Sequence, residues 1–168
     1  MPWWLWLLLS AVAVAALVLR SGKRPVFYRH RPIGEFDRAL WSFLGQVDSG
    51  DVLTFDRETG PGFLQFAITE NHPTSQTIEF GLPDAAWTVD AFPRVVASLA
   101  AAGFTCTVED LPPGAVIRRF LRVPVSGSQR SIRERADQLV GVVCRELNWP
   151  PTDRFTIHMK GRQHGGHS

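Results

Sequence analysis

Cysteines and sequence signatures of catalysis are both scarce in this chain of 168 residues. Its two cysteines, Cys106 and Cys144, lie far apart and match no metal-binding or redox spacing, which argues against a disulfide framework. We expect both to be small buried side chains in a reducing compartment. The chain contains no Gly-x-Ser-x-Gly, His-Glu-x-x-His or P-loop motif. We therefore predict that it is not an enzyme.

Metal ligands are equally sparse. His158 alternates with apolar neighbours on a predicted strand, whereas His164 and His167 lie among glycines. No thiolate or carboxylate stands at ligand spacing from them, as a zinc site would require. We predict no metal, no cofactor and no nucleic-acid partner.

Charge is absent from residues 1–19, and basic residues crowd the next dozen positions. As a helix, Trp3 to Leu19 rises about 25 Å, the short end of what spans a hydrocarbon core of about 30 Å. We predict a transmembrane anchor over residues 1–19. The side chains predicted at the two membrane interfaces are Trp3, Trp4 and Trp6 on one side and Arg20, Lys23 and Arg24 on the other.

Basic residues next to a span remain on the cytoplasmic side, so we predict an N-terminus outside and a folded domain in the cytoplasm. The sequence thus predicts a single-pass protein of the cell (inner) membrane. Two alternatives stay open: the reverse orientation, and a cleaved signal peptide, because small residues occur at Ala11, Ala13 and Ala15.

After the anchor we predict a basic juxtamembrane linker over 20–32, one α+β domain over 33–160 and a flexible tail over 161–168. Apolar residues three and four apart predict helices, and strict alternation predicts strands of an antiparallel sheet. The resulting order is α-β-β-β-α-β-β-α with an optional C-terminal strand. The predicted elements are helix Ile33–Val47, strands Val52–Phe55, Phe63–Thr69 and Gln76–Phe80, helix Phe92–Ala100, strands Phe104–Val108 and Ala115–Val123, helix Ser131–Leu147 and strand Phe155–Met159.

From Ile33 to about Trp149 this order resembles the YbjN-like and type III secretion chaperone-like superfamily of bacteria. The resemblance is carried by the order and lengths of the elements, and no family site residue is transferred by it. It implies a domain that binds proteins, often as a dimer, and does not catalyse a reaction. The predicted function is thus a membrane-anchored, chaperone-like or scaffold domain whose partner is an unidentified protein or a second copy.

Arginines concentrate on the fifth predicted strand and near the start of the third helix. Ser131-Ile132-Arg133-Glu134 fits a capping box, and a helix N-terminus attracts anions. The alternative function is therefore a membrane-tethered sensor of an anionic small molecule or lipid. An ordinary solvated strand and helix cap remain an alternative explanation of the same residues. The candidate anion-binding residues are Arg118, Arg119, Arg122, Arg130 and Ser131.

Three tryptophans of the predicted domain are candidates for a protein interface: Trp41, Trp87 and Trp149. Trp41 lies beside the apolar stripe of the first helix, and the other two lie at helix boundaries. Tryptophan is enriched at binding hot spots, but it is also common at the edge of a core. Both interpretations stay open from the sequence.

Overall fold

The computed structural model describes residues 26–32, 36–45, 50–72, 74–112 and 117–160. They form seven strands and three helices. The strands are β1 (Val26–Pro32), β2 (Val52–Arg57), β3 (Phe63–Asn71), β4 (Gln76–Pro83), β5 (Thr107–Asp110), β6 (Arg119–Gly127) and β7 (Arg154–Lys160), and the helices are α1 (Phe36–Leu44), α2 (Phe92–Ala101) and α3 (Gln129–Glu146).

All the strands belong to one antiparallel sheet with the order β1-β7-β2-β3-β4-β6-β5. The α+β composition is observed, but the predicted order of elements is wrong. Residues 26–32, which were predicted as linker, form β1 and pair with β7. The C-terminal strand lies inside the sheet, between β1 and β2. Both strands depend on hydrogen bonds between distant parts of the chain, which local alternation does not reveal.

The prediction of a single-pass membrane protein at the inner membrane is corrected. Within the part of the chain that the structure describes, no helix is long and apolar enough to cross a membrane. The longest described helix, α3, has 18 residues and is amphipathic, with several charged side chains exposed, so it packs on the sheet. The predicted anchor (1–19) and the tail (161–168) lie outside the described residues, as do the interface residues Trp3, Trp4, Trp6, Arg20, Lys23 and Arg24.

The core lies between the helices and one face of the sheet. Alternate residues of β2, β3, β4, β6 and β7 are buried and join the apolar sides of the helices in one cluster. Its centre is aromatic: the ring centroid of Phe36 on α1 lies 5.0 Å from that of Phe55 and 5.3 Å from that of Phe66. Burying such side chains contributes about 1.5–3 kcal/mol each, so this side of the sheet determines strand register.

Helices α2 and α3 end in the same local structure. After α2, Gly103 has φ 80° and the N–H of Phe104 donates to the carbonyl of Leu99. After α3, Asn148 has φ 54° and the N–H of Trp149 donates to the carbonyl of Cys144. This is the Schellman arrangement, in which a left-handed residue turns the following apolar residue back onto the helix. It places Trp149 in the core edge, where the side chain is 7% exposed.

Gly62, in the β2–β3 turn, is a position where a larger residue should destabilise the fold. It has φ +131°, and a Cβ there would lie 2.5 Å from a ring carbon of Trp149. Gly62→Ala should therefore lower the free energy of unfolding by about 2–4 kcal/mol, through backbone strain and overpacking. Denaturant unfolding followed by circular dichroism measures this change.

The matched control is Gly141→Ala in α3, where no atom lies within 4 Å of the added methyl group. There the same change should raise the free energy of unfolding by about 0.5–1 kcal/mol, because alanine has the higher helix propensity. Equal effects of the two substitutions would contradict the described packing of Trp149.

Candidate functional site

The second face of the sheet carries no helix in the described part of the chain, and we call it the open face. Strand alternation places Thr54 and Asp56 of β2 on it, with Gln65 and Ala67 of β3 beside them. Most of its side chains are half-buried, and they mix apolar, hydroxyl and charged groups. The open-face residues on the described strands include Val52, Asp56, Phe63, Ala67, Glu70, Thr77, Glu79, Glu109, Phe120, Arg122, Ser126 and His158.

Arg122 connects three strands across the open face. Its Nη1 lies 2.5 Å from Oε1 of Glu79 on β4, and its Nε donates to Oε2 of Glu109 on β5 at 2.9 Å. Partial burial alone lowers the pKa of Arg122, but the two glutamates more than offset this and raise it above its ordinary value. Two carboxylates share one guanidinium here, so this end of the open face has a net negative charge.

Phe120 explains how Arg122 is held. The guanidinium of Arg122 lies 5.5 Å from the centroid of the Phe120 ring, a cation–π contact. The same ring occupies the space over Gly81 on β4, where a Cβ would lie 2.7 Å from its Cζ. Gly81 thus leaves room for Phe120 to lie flat on the sheet and support the arginine.

Two further polar groups extend along the open face. On β4, Thr77 Oγ1 donates to Oε2 of Glu70 at 3.1 Å and lies 3.0 Å from Oγ of Ser126. Near β7, Nε2 of His158 lies 3.1 Å from Oδ2 of Asp56. These side chains are therefore ordered by their neighbours before any partner arrives, which reduces the entropy lost on binding.

The predicted arginine cluster is not one site. Arg119 points to the helix side, where its guanidinium pairs with Asp84 at 2.8 Å and lies 5.0 Å from the Phe92 ring centroid. Arg122 points to the open face, because it lies three residues further along the same strand. Arg118, before the strand, is exposed.

Arg130 and Ser131 lie on α3, apart from those strand arginines. The exposed Arg130 pairs with Glu134 at 3.0 Å. The predicted capping box is shifted: α3 begins at Gln129 and Ser128 is its N-cap, whose Oγ accepts from the Ser131 N–H at 3.3 Å. Ser131 is therefore the third residue of the helix.

The three tryptophans predicted as interface candidates also lie in different places. Trp87 and Trp149 stack with centroids 5.9 Å apart and an interplanar angle of 25°. Trp87 also contacts Phe63, an open-face residue, at 5.7 Å between centroids. Trp41 lies on α1, away from the other two tryptophans, and is 46% exposed. The Arg133 guanidinium lies 4.5 Å from its ring centroid. The structure thus assigns Trp149 to the core edge, and Trp87 packs against the same core while its ring also contacts Phe63.

A partly buried ion pair lies beside Trp149, and the sequence pattern did not indicate it. Nε of Arg57 donates to Oδ2 of Asp153 at 2.6 Å, and Oγ1 of Thr59 donates to Oδ1 at 2.9 Å. Asp153 is 5% exposed, and the Arg57 guanidinium lies 5.1 Å from the Trp149 ring centroid. The carboxylate is satisfied by these bonds, so we assign it a structural role.

Neither cysteine has the properties of a nucleophile. Burial, with a smaller contribution from the nearby Asp153, raises the pKa of Cys144 to about 12, and Arg57 offsets part of this increase. Burial also raises the pKa of Cys106. Since the thiolate is the reactive form, both residues are protonated thiols at neutral pH. Among the described residues no group of three or more His, Cys, Asp or Glu side chains is arranged to hold a metal ion.

No family model, no curated protein and no solved structure matches this chain. The resemblance to the secretion-chaperone-like superfamily therefore stays a prediction.

Cysteine alkylation tests the thiol assignment. At pH 7–8 in the native protein, iodoacetamide should modify Cys106 slowly and Cys144 hardly at all, because almost no thiolate is present. While the chain stays folded, the rate at Cys144 should keep rising with pH without levelling off, because its pKa is about 12. Mass spectrometry of tryptic peptides measures both sites, with denaturant-unfolded protein as the control for full reactivity. Rapid native labelling of Cys144 would contradict the assignment.

Arg122→Met tests the three-strand contact. It leaves Glu79 and Glu109 half-buried without their shared cation, so the free energy of unfolding should fall by about 1–2 kcal/mol. Arg130→Met is the matched control, because its pair with Glu134 is exposed and should contribute about 0–0.5 kcal/mol. Chemical denaturation of both variants supplies the comparison, and indistinguishable values would refute the structural role of Arg122.

Proposed function

We propose that this chain is a non-catalytic protein-binding domain, chaperone-like or scaffold-like, which contacts its partner through the open face. The observation that carries the proposal is the one-sided packing of the sheet, with all three described helices on the opposite face. A sheet face without a covering layer is a surface on which another protein can pack. The membrane tether of the sequence-based prediction is not part of this proposal.

The chemistry of the open face supports a protein partner. Half-buried apolar groups at Val52, Phe63 and Ala67 lie on the same face of the sheet as an arginine that is already fixed between carboxylates. Aromatic and arginine side chains are enriched in protein interfaces, and ordered ones lose little entropy on binding. The shared negative charge near Glu79 and Glu109 favours a basic surface on the partner.

The titratable groups support a role without catalysis. The described open-face residues Glu79, Glu109 and Asp56 each have a cationic or imidazole partner, and both cysteines are protonated thiols. General acid–base catalysis needs a group whose pKa is tuned for proton transfer. The alternative function, a sensor of anions through the arginine cluster, loses its support because the cluster divides between two faces of the sheet and a helix.

Site-specific photocrosslinking in cells tests the proposal. A benzoyl-phenylalanine at Ala67, in the middle of the open face, should crosslink to one defined polypeptide or to a second copy of the chain. The same residue at Ala97, exposed on α2, is the matched control and should not yield that product. Mass spectrometry identifies the crosslinked band.

The identified partner is then purified and its affinity measured at increasing salt. Because of the negative charge near Glu109, binding should weaken as salt rises, and Glu79→Lys should weaken it further. Equal crosslinking from Ala67 and Ala97, or no product from Ala67, would refute the open face as the binding surface.

A further inference from the structure

The two edges of the sheet differ in how well they are protected. β1 forms one edge and β5 the other, and each pairs with a single strand of the described sheet. An edge strand presents unpaired backbone N–H and C=O groups, to which another chain can add a strand. Prolines, bulges and basic side chains block such an edge.

β1 carries all three of these blocking features, and β5 carries none. The pairing of β1 with β7 shifts register twice, Pro32 ends the strand, and Arg29 and Arg31 lie within it. The four residues of β5, Thr107–Asp110, pair with β6 without a register shift. Of the two described edges, β5 is therefore the one open to strand addition.

The direction of the β5 backbone groups follows from its register. Just after the strand, the N–H of Leu111 donates to the carbonyl of Arg118 at 2.9 Å. Because hydrogen-bonded pairs alternate in an antiparallel ladder, the odd-numbered residues of β5 bond to β6. The N–H and C=O groups of Val108 and Asp110 therefore point out of the edge of the sheet.

The neighbouring strand agrees with this direction. Arg119 is the β6 residue opposite Asp110, and its carbonyl accepts from the N–H of Asp84, directly after β4, at 2.8 Å. Since that carbonyl points away from β5, Asp110 has no backbone partner on β6. The edge thus offers two N–H donors and two carbonyl acceptors.

The side chains of β5 determine which strand fits. Val108 is 39% exposed on the helix side of the sheet, opposite the buried Leu121. Asp110 is exposed and has no ion pair with a described residue, and Glu109 uses one carboxylate oxygen for Arg122. A second copy of β5 would bring further carboxylates to this edge and is disfavoured by like charge, whereas a basic strand is favoured.

We propose that β5 accepts an extended, basic segment of another polypeptide, which adds one more strand to the sheet. Its backbone bonds to Val108 and Asp110, an apolar side chain covers Val108, and lysine or arginine lies opposite Glu109 and Asp110. β5 is short, so the edge alone supports weak binding. The proposal does not rest on the open face, because strand addition requires only the edge.

Nuclear magnetic resonance titration of the ¹⁵N-labelled full chain with acetyl-Ser-Lys-Lys-Val-Thr-Ser-amide tests this binding. The amides of Val108 and Asp110 should shift most and exchange more slowly with solvent, because they gain acceptors, whereas those of Thr107 and Glu109 are already bonded to β6. The matched control peptide has glutamates in place of both lysines and should bind at least about tenfold more weakly. Equal binding of the two peptides, or no shift at β5, overturns the proposal.

Val108→Pro removes an outward N–H without removing a bond to β6 and should weaken peptide binding at least about tenfold. Val108→Thr keeps the N–H and a β-branched side chain, so this matched control should retain most of the affinity. Asp110→Lys should also weaken binding, and it replaces Val108→Pro if the spectra show that variant unfolded. Unchanged affinity in the folded variants overturns the proposal.

Light scattering after size-exclusion chromatography tests the other occupant of the edge. A dimer of the natural chain that Val108→Pro dissociates would assign the edge to a second copy and overturn the proposal of a basic partner. The crosslink from Ala67 tests the open face separately. Its absence, with peptide binding at β5 retained, refutes the open face alone and supports the edge.

Discussion

The pairing of β7 on both of its edges is the constraint on which the rest of the structure depends. This last strand lies between β1, the first described strand, and β2. It therefore joins the two ends of the described chain into one sheet. The segment that precedes it carries Trp149 and Asp153, so the insertion of β7 also brings Asp153 to Arg57 and Trp149 to Trp87. Without β7, β1 would have no partner strand in the described sheet.

The one-sided packing follows from the same sheet. Three helices bury the alternate residues of one face, and the other face is left to half-buried mixed side chains. Strand alternation then determines on which face of the sheet each charged side chain lies. Arg119 and Arg122 are three positions apart on β6, so one neutralises Asp84 beside α2 and the other bridges Glu79 and Glu109. A cluster of cations in sequence becomes two separate ion-pair networks in space.

Local pattern was sufficient for the type and sequence of the elements between Phe36 and Glu146, because each has a clear apolar period or a helix-ending residue such as Gly103. It did not give their bounds: β5 and β6 begin at Thr107 and Arg119, later than the predicted starts at Phe104 and Ala115. It was not sufficient for β1, which lies in a basic stretch between two prolines. Nor could it show the sheet order, since the β2–β7 and β1–β7 pairs join residues about 100 to 130 positions apart along the chain. The start of α3 was misplaced because Ser128 and Ser131 both suit an N-cap, and only the backbone shows that Ser128 caps the helix.

The candidate sites, too, depend partly on local sequence pattern and partly on contacts between distant strands. Arg122 was named from sequence, but the carboxylates that fix it come from β4 and β5, so its role followed only from strand pairing. The partly buried pair of Arg57 and Asp153 had no sequence signal, because the two residues are 96 positions apart and meet only through the insertion of β7.

Strand β4 carries the core and the open face on alternate residues. Gln76 points to the helix side, where its Nε2 donates to the carbonyl of Leu44 at the end of α1, whereas Thr77 and Glu79 point to the open face. Because β4 is paired with β3 on one edge and with β6 on the other, its open-face side chains are held in register with those of both neighbours. The same strand thus anchors the helix layer on one side and presents Glu79 and Thr77 on the other.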